Sequence, residues 1–301
     1  MSTPYNSFQA FSNGLADAAE SAGLAIVQVN ARRRMAASGI VYSPELIITA
    51  NHVVEREDDA KIITVDGREI QASLAGRDPS RDIAVLRLKE SLTASAVPSK
   101  TPARVGQIVL ALARPDSDGL QASLGVVSAI GGPVRTGQGG LLEKYLRTDT
   151  IPLPGFSGGP LVSAEGQVLG MNTSGLAMGA LLTIPVDTLW AAAAALAAHG
   201  HIRRAYLGVR SQLVDLAEAQ RTIFGRSQAT GLLLVGLEES SPAARAGLMV
   251  GDILVGLNSQ PVRDHEELQA QMAAASISQE VPVELLRGGQ PTTVKVMLGE
   301  H

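Results

Sequence analysis

Ser157 lies in the run Gly155-Phe156-Ser157-Gly158-Gly159-Pro160. Glycines two places before and one and two places after a serine permit a sharp backbone bend and bring main-chain N–H groups near the hydroxyl. Such a run can present a nucleophile to a carbonyl, and it is also the composition of an ordinary Gly-rich hairpin. Two upstream residues favour the nucleophile. His52 sits in Ile48-Thr49-Ala50-Asn51-His52-Val53-Val54, an apolar strand running into a small-residue turn, and Asp82 opens Asp82-Ile83-Ala84-Val85-Leu86. A serine hydroxyl is a poor nucleophile at neutral pH unless a base stands within hydrogen-bond reach and is itself held in one tautomer. His52 is the only histidine before residue 199, so no other competes as base in that region. Two acids compete to orient it. Asp78 precedes Pro79 in Arg77-Asp78-Pro79-Ser80, where an exposed turn role fits. Asp82 enters a strand and is the preferred partner.

The order His, Asp, Ser is that of chymotrypsin, not of subtilisin or the α/β-hydrolases. Together with Asp78-Pro79-Ser80-Arg81-Asp82-Ile83-Ala84-Val85-Leu86 and Tyr206-Leu207-Gly208-Val209, these motifs resemble the HtrA (DegP/DegQ-like) family of trypsin-fold serine proteases with one C-terminal PDZ domain. The resemblance runs from about residue 15 to residue 298. Two departures stand out. Phe156 replaces the asparagine usual before the serine, and Ala113-Arg114-Pro115-Asp116-Ser117 replaces a Gly-Asn-Pro-Phe-Gly type loop.

The resemblance implies a mainly β chain, a chymotrypsin/trypsin-like double β-barrel followed by an α+β PDZ domain. It implies an ATP-independent endopeptidase acting on unfolded or damaged proteins through His52, Asp82 and Ser157, with the N–H groups of Gly155 and Ser157 as oxyanion hole. Trypsin-like enzymes that cut after Lys or Arg carry an Asp six positions before the serine; Ile151 stands there. An apolar floor leaves a cation unpaired. With Met171, Asn172 and Thr173 as pocket wall, the expected cuts follow small or medium apolar residues. Tyr206, Leu207, Gly208 and Val209 are expected to receive a peptide carboxylate through their N–H groups, with the 265–275 helix as the opposite wall. Leu207 and Met272 fit the module's core equally well. Two other functions stay open: a protease-fold chaperone or binding protein whose loop at Phe156 has lost turnover, and a regulatory protease with one dedicated substrate.

Bulk properties agree with a soluble, two-domain reading. The chain has 301 residues, more than one core usually holds, with 45% hydrophobic residues and a net charge of −4. That charge argues against a nucleic-acid footprint, and Arg32-Arg33-Arg34 reads as a solvated loop. Cysteine is absent, which removes disulfides and thiolate chemistry. No cofactor or metal is implied. No stretch reaches the length of a membrane-spanning helix, and no signal peptide is visible at the N-terminus. The expected compartment is therefore the cytoplasm, or the periplasm if an exported leader was removed.

Four segments are expected. Residues 1–14 form an oligomerisation arm, since three of only nine aromatics, Tyr5, Phe8 and Phe11, fall there, and HtrA-like proteases trimerise through such residues. Residues 15–199 form the protease domain, 200–204 a linker and 205–301 the PDZ domain. A helix over 13–22 with Asn13 as cap precedes short strands at 24–29, 46–49, 61–65, 83–88, 107–112, 120–130 and 167–171. Gly-rich breaks occur at 131–133 and 137–140. An Ala-rich helix over 186–199 stops at Gly200, and His199 with His201 reads as a polar helix end, the alternative being half a metal site. In the last segment Ser241-Pro242 caps a short helix, Asp264 with Glu267 forms a capping box, and Arg287-Gly288-Gly289-Gln290 turns a hairpin.

Overall fold

The computed structural model describes residues 4–33, 35–136, 141–151, 153–176, 181–201, 205–275 and 277–300. Arg34, the break at 137–140, residues 202–204 of the expected linker and the side chain of Tyr5 lie outside the described residues. The chain forms two compact units that divide between residues 202 and 203.

In the first unit β1 (Ile26–Asn30), β2 (Ala37–Ser43), β3 (Leu46–Ala50), β4 (Ala60–Ile63), β5 (Glu69–Asp78) and β6 (Ile83–Leu88) close into an antiparallel barrel. The strand order is β1-β2-β3-β6-β5-β4, and β1 closes the ring on β4 by pairing Val29 with Ile62. A second barrel follows. β7 (Ile108–Ala113) and β8 (Gln121–Gly131) lead through a small ribbon, β9 (Val134–Arg135) and β10 (Leu141–Leu142), to β11 (Tyr145–Thr148), β12 (Pro160–Ser163), β13 (Val168–Thr173) and β14 (Leu182–Pro185). Its order is β11-β14-β13-β12-β7-β8, closed by β8 against β11.

Alternation along β7 explains why this barrel has two apolar faces. Val109, Ala111 and Ala113 fill its interior with Val127, Leu146, Leu161 and Leu169, while Leu110 and Leu112 join Ile26, Val162 and Val168 on the outside. That outer patch is covered by Leu15, Ala19 and Ala22 of α1 (Pro4–Gly23). The helix is longer than the sequence suggested. It starts at Pro4, a residue tolerated in a first turn because its missing N–H has no helical partner there. Asn13 is not a cap but a mid-helix residue whose Oδ1 accepts from Gln9 Nε2 at 3.0 Å. Residues 6–14 are all exposed, Phe8 by 74%. Only the second half of α1 packs on the barrel.

α2 (Val186–His199) ends at Gly200, whose φ of 78° is the left-handed stop the sequence signalled. It buries Leu189, Ala192, Ala193 and Leu196 against the first barrel, and Trp190 meets Tyr42 edge-to-face at 5.6 Å. Among the described residues no helix is long and apolar enough to cross a membrane.

The second unit pairs β15 (Ala205–Tyr206) with the terminal β22 (Gly299–Glu300). Its main sheet holds β16 (Val209–Asp215), β17 (Thr230–Leu237), β18 (Ile253–Leu257), β20 (Glu280–Arg287) and β21 (Gln290–Met297) in that order, with β19 (Gln260–Pro261) against β18. β16 is an edge. Two helices close the core around Leu207, Leu232, Leu254 and Leu268: α3 (Pro242–Arg245), capped by Ser241 Oγ on Ala244 N–H, and α4 (His265–Ala274), capped by Asp264 on Glu267 N–H at 2.8 Å. Glu267 does not complete the box on Asp264; its carboxylate accepts from Arg263 N–H and pairs with the Arg263 guanidinium at 2.8 Å.

Asp252, buried just before β18, accepts from Arg287 Nε at 2.9 Å, Arg287 Nη2 at 2.8 Å and Met249 N–H at 2.8 Å. Burial pushes its carboxyl up, but the Arg287 and Met249 hydrogen bonds outweigh burial and hold it below the usual carboxylate value. Its contribution to stability is therefore fully present above the unfolded Asp value of about 3.9 and is lost as pH falls through the lower folded value. Asp252→Asn should cost about 1–3 kcal/mol at pH 7, the low end reflecting the solvent on one side of Arg287. Denaturant unfolding should show that deficit shrink below about pH 4; a pH-independent deficit would exclude the charge as its cause.

Candidate active site

His52 lies in a 3-10 turn, Asn51–Val53, at the end of β3, and Asp82 sits at the start of β6 after a second such turn, Pro79–Arg81. Asp82 takes the left-handed conformation, φ 57°, which Asp tolerates better than most side chains. The carboxylate is buried and turned back onto the histidine: Oδ1 accepts from His52 N–H at 2.8 Å and Oδ2 lies 2.8 Å from His52 Nδ1. A third donor comes from the other barrel, the Thr173 hydroxyl at the end of β13, which also donates to Oδ2. Thr173 Oγ1 in turn accepts from Gly175 N–H at 2.9 Å. A Cβ on Gly175 would fall 2.5 Å from Asp82 Oδ2 and 2.6 Å from His52 Nδ1, so only glycine lets the chain lie this closely over the pair. Asp78, the rival acid, is a turn cap accepting from Ser80 N–H at 3.1 Å, though buried and not exposed as expected.

Ser157 follows a backbone bend at Gly155, φ 82°. Its Oγ lies 3.1 Å from Ser174 Oγ and accepts from Ser174 N–H at 3.3 Å; among the described residues no hydrogen bond joins it to His52. Contacts of this kind are often loose in unliganded sites and tighten with substrate. The N–H groups of Gly155 and Ser157 have no acceptor among the described residues, whereas Phe156 N–H is used by Leu153 O at 3.3 Å and Gly158 N–H by Asn172 O at 2.9 Å. Phe156 itself is fully buried in the second barrel's core with Val109, Leu146 and Leu161. Its side chain faces away from the serine. The first unit thus holds a histidine oriented by a buried carboxylate, a serine hydroxyl tied to Ser174, whose neighbour Gly175 lies over that histidine, and two main-chain N–H groups with no acceptor among the described residues.

The expected pocket residues separate. Ile151 is 63% exposed and does not floor an enclosed pocket. After β11, Asp149 is pinned by Val126 N–H at 2.6 Å, Thr150 takes the inward position, and Ile151 turns outward with its N–H on Ser123 Oγ at 2.9 Å. Met171 is core, packed in the cluster that holds Leu182, Ile184 and α2, because alternation along β13 turns it to the opposite face from Asn172. Thr173 turns its hydroxyl to Asp82. Asn172 alone of the three keeps a group in reserve: Oδ1 accepts from Thr183 Oγ1 at 2.7 Å, while Nδ2 is buried without a partner among the described residues. Sequence reasoning missed Thr173's role and Ser174 altogether, since hydroxyls in Asn172-Thr173-Ser174-Gly175 carry no local signal until the strand is placed. Among the described residues no three His, Asp or Glu side chains gather to hold a metal.

In the second unit, Gly208, φ 79°, turns the chain from β15 into β16, and a Cβ there would fall 2.2 Å from Ser241 Cβ. The carbonyls of Leu207 and Gly208 accept from Ala243 and Glu238 N–H, at 2.9 and 3.0 Å. Their own N–H groups have no acceptor among the described residues. Leu207 is buried in the core and Met272 packs against it. α4 faces β16 across this edge: His265 Nε2 lies 3.1 Å from both Ser211 Oγ and Ser211 O. His265 was not singled out from sequence, although its place directly after the Asp264 cap marks it as the first helical residue.

Residues 37–171 match the trypsin-like peptidase domain family and residues 205–298 the PDZ domain family. Among curated proteins, the chain is 33% identical over 277 residues to a probable periplasmic serine endoprotease DegP-like of Halomonas elongata, covering 89% of this chain and 57% of that one. It is 33% identical over 278 residues to a protein of the same description from Rhizobium meliloti, covering 89% and 54%. The chain therefore spans about half the length of the curated relatives it matches. Among solved structures it is similar to the HtrA-type protease AlgW with decapeptide, at 25% identity and a TM-score of 0.73 over 95% of this chain and 98% of that one. The serine endoprotease from Yersinia pestis gives 27% identity and a TM-score of 0.72 over 100% and 99%.

Thr173→Val removes one of three donors from a buried carboxylate. A hydrogen bond to a charged group contributes about 1.5–3 kcal/mol, or about 10- to 150-fold in a rate. Labelling of Ser157 by a fluorophosphonate should slow by about that factor, and Thr173→Ser should label nearly as fast as the parent protein. Equal labelling by the valine variant would show that Asp82 does not depend on this hydroxyl.

Proposed function

Because the chain belongs to the HtrA family of serine proteases, with a trypsin-like domain followed by one PDZ domain, we propose that it is an ATP-independent endopeptidase of unfolded polypeptides. The observation that carries this reading is the His52–Asp82 pair beside Ser157 and the two free N–H groups of Gly155 and Ser157. Ser157 Oγ swings from Ser174 towards His52 Nε2, gives up its proton there and attacks the scissile carbonyl. Gly155 and Ser157 N–H receive the oxyanion, Asp82 stabilises the imidazolium, and His52 returns the proton to the leaving amine. Water then repeats the sequence on the acyl-enzyme. A turnover-dead chaperone is not favoured, because the Phe156 side chain points into the barrel core and leaves both donors free.

Small or medium apolar side chains are the proposed residues before the cut. Among the described residues, the buried polar groups near this end of the barrel are uncharged, Thr150, Asn172 and Thr183, and Asp149 is occupied by Val126 N–H. A buried Lys or Arg would find no carboxylate there, and burying it unpaired is costly. Ile151 and Leu153 supply an exposed apolar rim. For the PDZ unit, an extended peptide adding to the β16 edge would place its carboxylate at the Leu207 and Gly208 N–H groups. Exposed Phe8 and Phe11 on the unpacked half of α1, with Tyr5, are proposed to hold a homotrimer. The relatives' names support an extracytoplasmic setting over the cytoplasmic one.

Digestion of casein followed by sequencing of the products tests the catalytic reading. Cuts should follow Val, Ala, Ile or Leu, and Ser157→Ala should reduce the rate at least 1,000-fold while keeping the fold, as expected for one member of a triad. Undiminished digestion by that variant would remove Ser157 from the mechanism. The PDZ reading has its own test in calorimetry with a peptide ending in apolar residues. Amidating its C-terminus should weaken binding about tenfold or more, the loss of charge-assisted hydrogen bonds to the two N–H groups; equal affinities would mean that the carboxylate is not read.

A further inference from the structure

We propose that Ser38, on β2 of the first barrel, is a positioning residue for the oxyanion donors carried by the second barrel, an inference that rests on the serine-peptidase reading above. Ser38 is fully buried and its Oγ touches two segments of that barrel. It lies 2.9 Å from Gly155 O and accepts from Arg114 N–H at 2.8 Å. A hydroxyl has one proton. With the Arg114 N–H on a lone pair, that proton is committed to Gly155 O, so both contacts are met in a single orientation. The main chain of Ser38 adds a second hold on the same loop, its N–H donating to Ser157 O at 3.2 Å, while its own carbonyl accepts from Thr49 Oγ1 at 2.8 Å.

The two oxyanion donors belong to the peptide groups on either side of the one joining Gly155 to Phe156. That middle group is planar, so fixing its oxygen and its N–H fixes it as a whole. Ser38 holds the oxygen and Leu153 O holds the N–H. A glycine at φ 82° has few steric limits of its own, and an uncompensated rotation at either end of this peptide would change the angle between the two groups that carry the donors. The far side of the clamp is also firm. Arg114 reaches back with Nε to Ile26 O at 3.0 Å and Nη2 to Gly23 O at 3.4 Å, and a Cβ on Gly155 would fall 2.3 Å from Pro115 Cβ. Ser38 touches neither substrate nor reacting atoms. It acts through the geometry of Gly155 and Ser157.

The test compares the full-length protein with Ser38→Ala and Ser38→Cys, the latter keeping the volume and only a weak donor. A misplaced oxyanion donor should cost about 10- to 100-fold in kcat, with KM unchanged, in Ser38→Ala; Ser38→Cys should fall between. Labelling of Ser157 by a fluorophosphonate, whose oxygen enters the same donors, should slow in parallel. Affinity for a C-terminal peptide should stay near that of the parent, while the melting temperature falls by a few degrees because Arg114 N–H and Gly155 O lose a partner. Hydrogen exchange of residues 153–158 should quicken in Ser38→Ala, a readout that needs no activity. The proposal is overturned by a kcat within threefold of the parent, by a loss that appears in KM alone, or by unchanged exchange in that segment. Should Ser38→Ala unfold, the folded Ser38→Cys protein decides on the same readouts. Failure of the parent protein itself to label would overturn the peptidase reading, while the exchange comparison would still decide the clamp.

Discussion

The carboxylate of Asp82 sets the terms for the rest of the first unit. A buried charge of this kind is costly unless donors surround it. The three that do so come from two places: the backbone and ring of His52 at the end of β3, and the Thr173 hydroxyl at the end of β13. Because one donor belongs to the second barrel, the charge is satisfied only when the two barrels meet edge to edge. Gly175 then lies over the pair at a distance no side chain would allow. The geometry of the His52–Asp82 pair and the association of the barrels are thus one requirement, and a defect in either exposes an unpaired charge.

A different force holds the serine. The loop from Ile151 to Gly159 has no buried charge of its own, and Phe156 anchors it by burying an aromatic ring among Val109, Leu146 and Leu161. Where the family usually places a polar amide, this chain uses apolar surface, of which an aromatic buries about 150–250 Å². Hydrogen bonds from β2 and β13 then orient the main chain: Ser38 N–H on Ser157 O, Gly158 N–H on Asn172 O, Asn172 N–H on Gly159 O. Burial fixes where the loop sits, and directional bonds fix how it faces.

The legible parts of the sequence were those with local causes. Gly200 stops α2, Ser241 and Asp264 cap α3 and α4, and short aliphatic runs fall on the barrel strands, because each signal is written within a few residues of the element it shapes. The order of His52, Asp82 and Ser157 was legible for another reason, since few arrangements give that order in a β-rich chain. What stayed hidden was set by strand pairing. Whether Met171 or Asn172 faces the barrel interior depends on the phase of β13, and the turn of Asp149 onto Val126 N–H reversed Thr150 and Ile151. Thr173 and Ser38 are ordinary strand residues until partners 91 and 117 positions away are brought to them. The start of α1 was missed because a long exposed helix lacks the apolar period that would announce it.

The same contrast between local and distant causes bears on β16. An edge strand with unpaired backbone groups is a hazard that soluble proteins usually blunt with charge, proline or a covering element. β16 carries Arg210 and Asp215 but also an exposed Leu213, and α4 faces it without taking its backbone into a sheet. A polar tie at the helix N-terminus, His265 Nε2 with Ser211, crosses between them. Water satisfies the exposed groups of such an edge, so what it carries is a readiness to pair with another extended chain. The core does not require that edge, since Leu207, Leu254 and Leu268 close beneath α3 and α4. The exposed edge of β16 and the Leu207 and Gly208 N–H groups at its start, which have no acceptor among the described residues, suit the peptide addition proposed above.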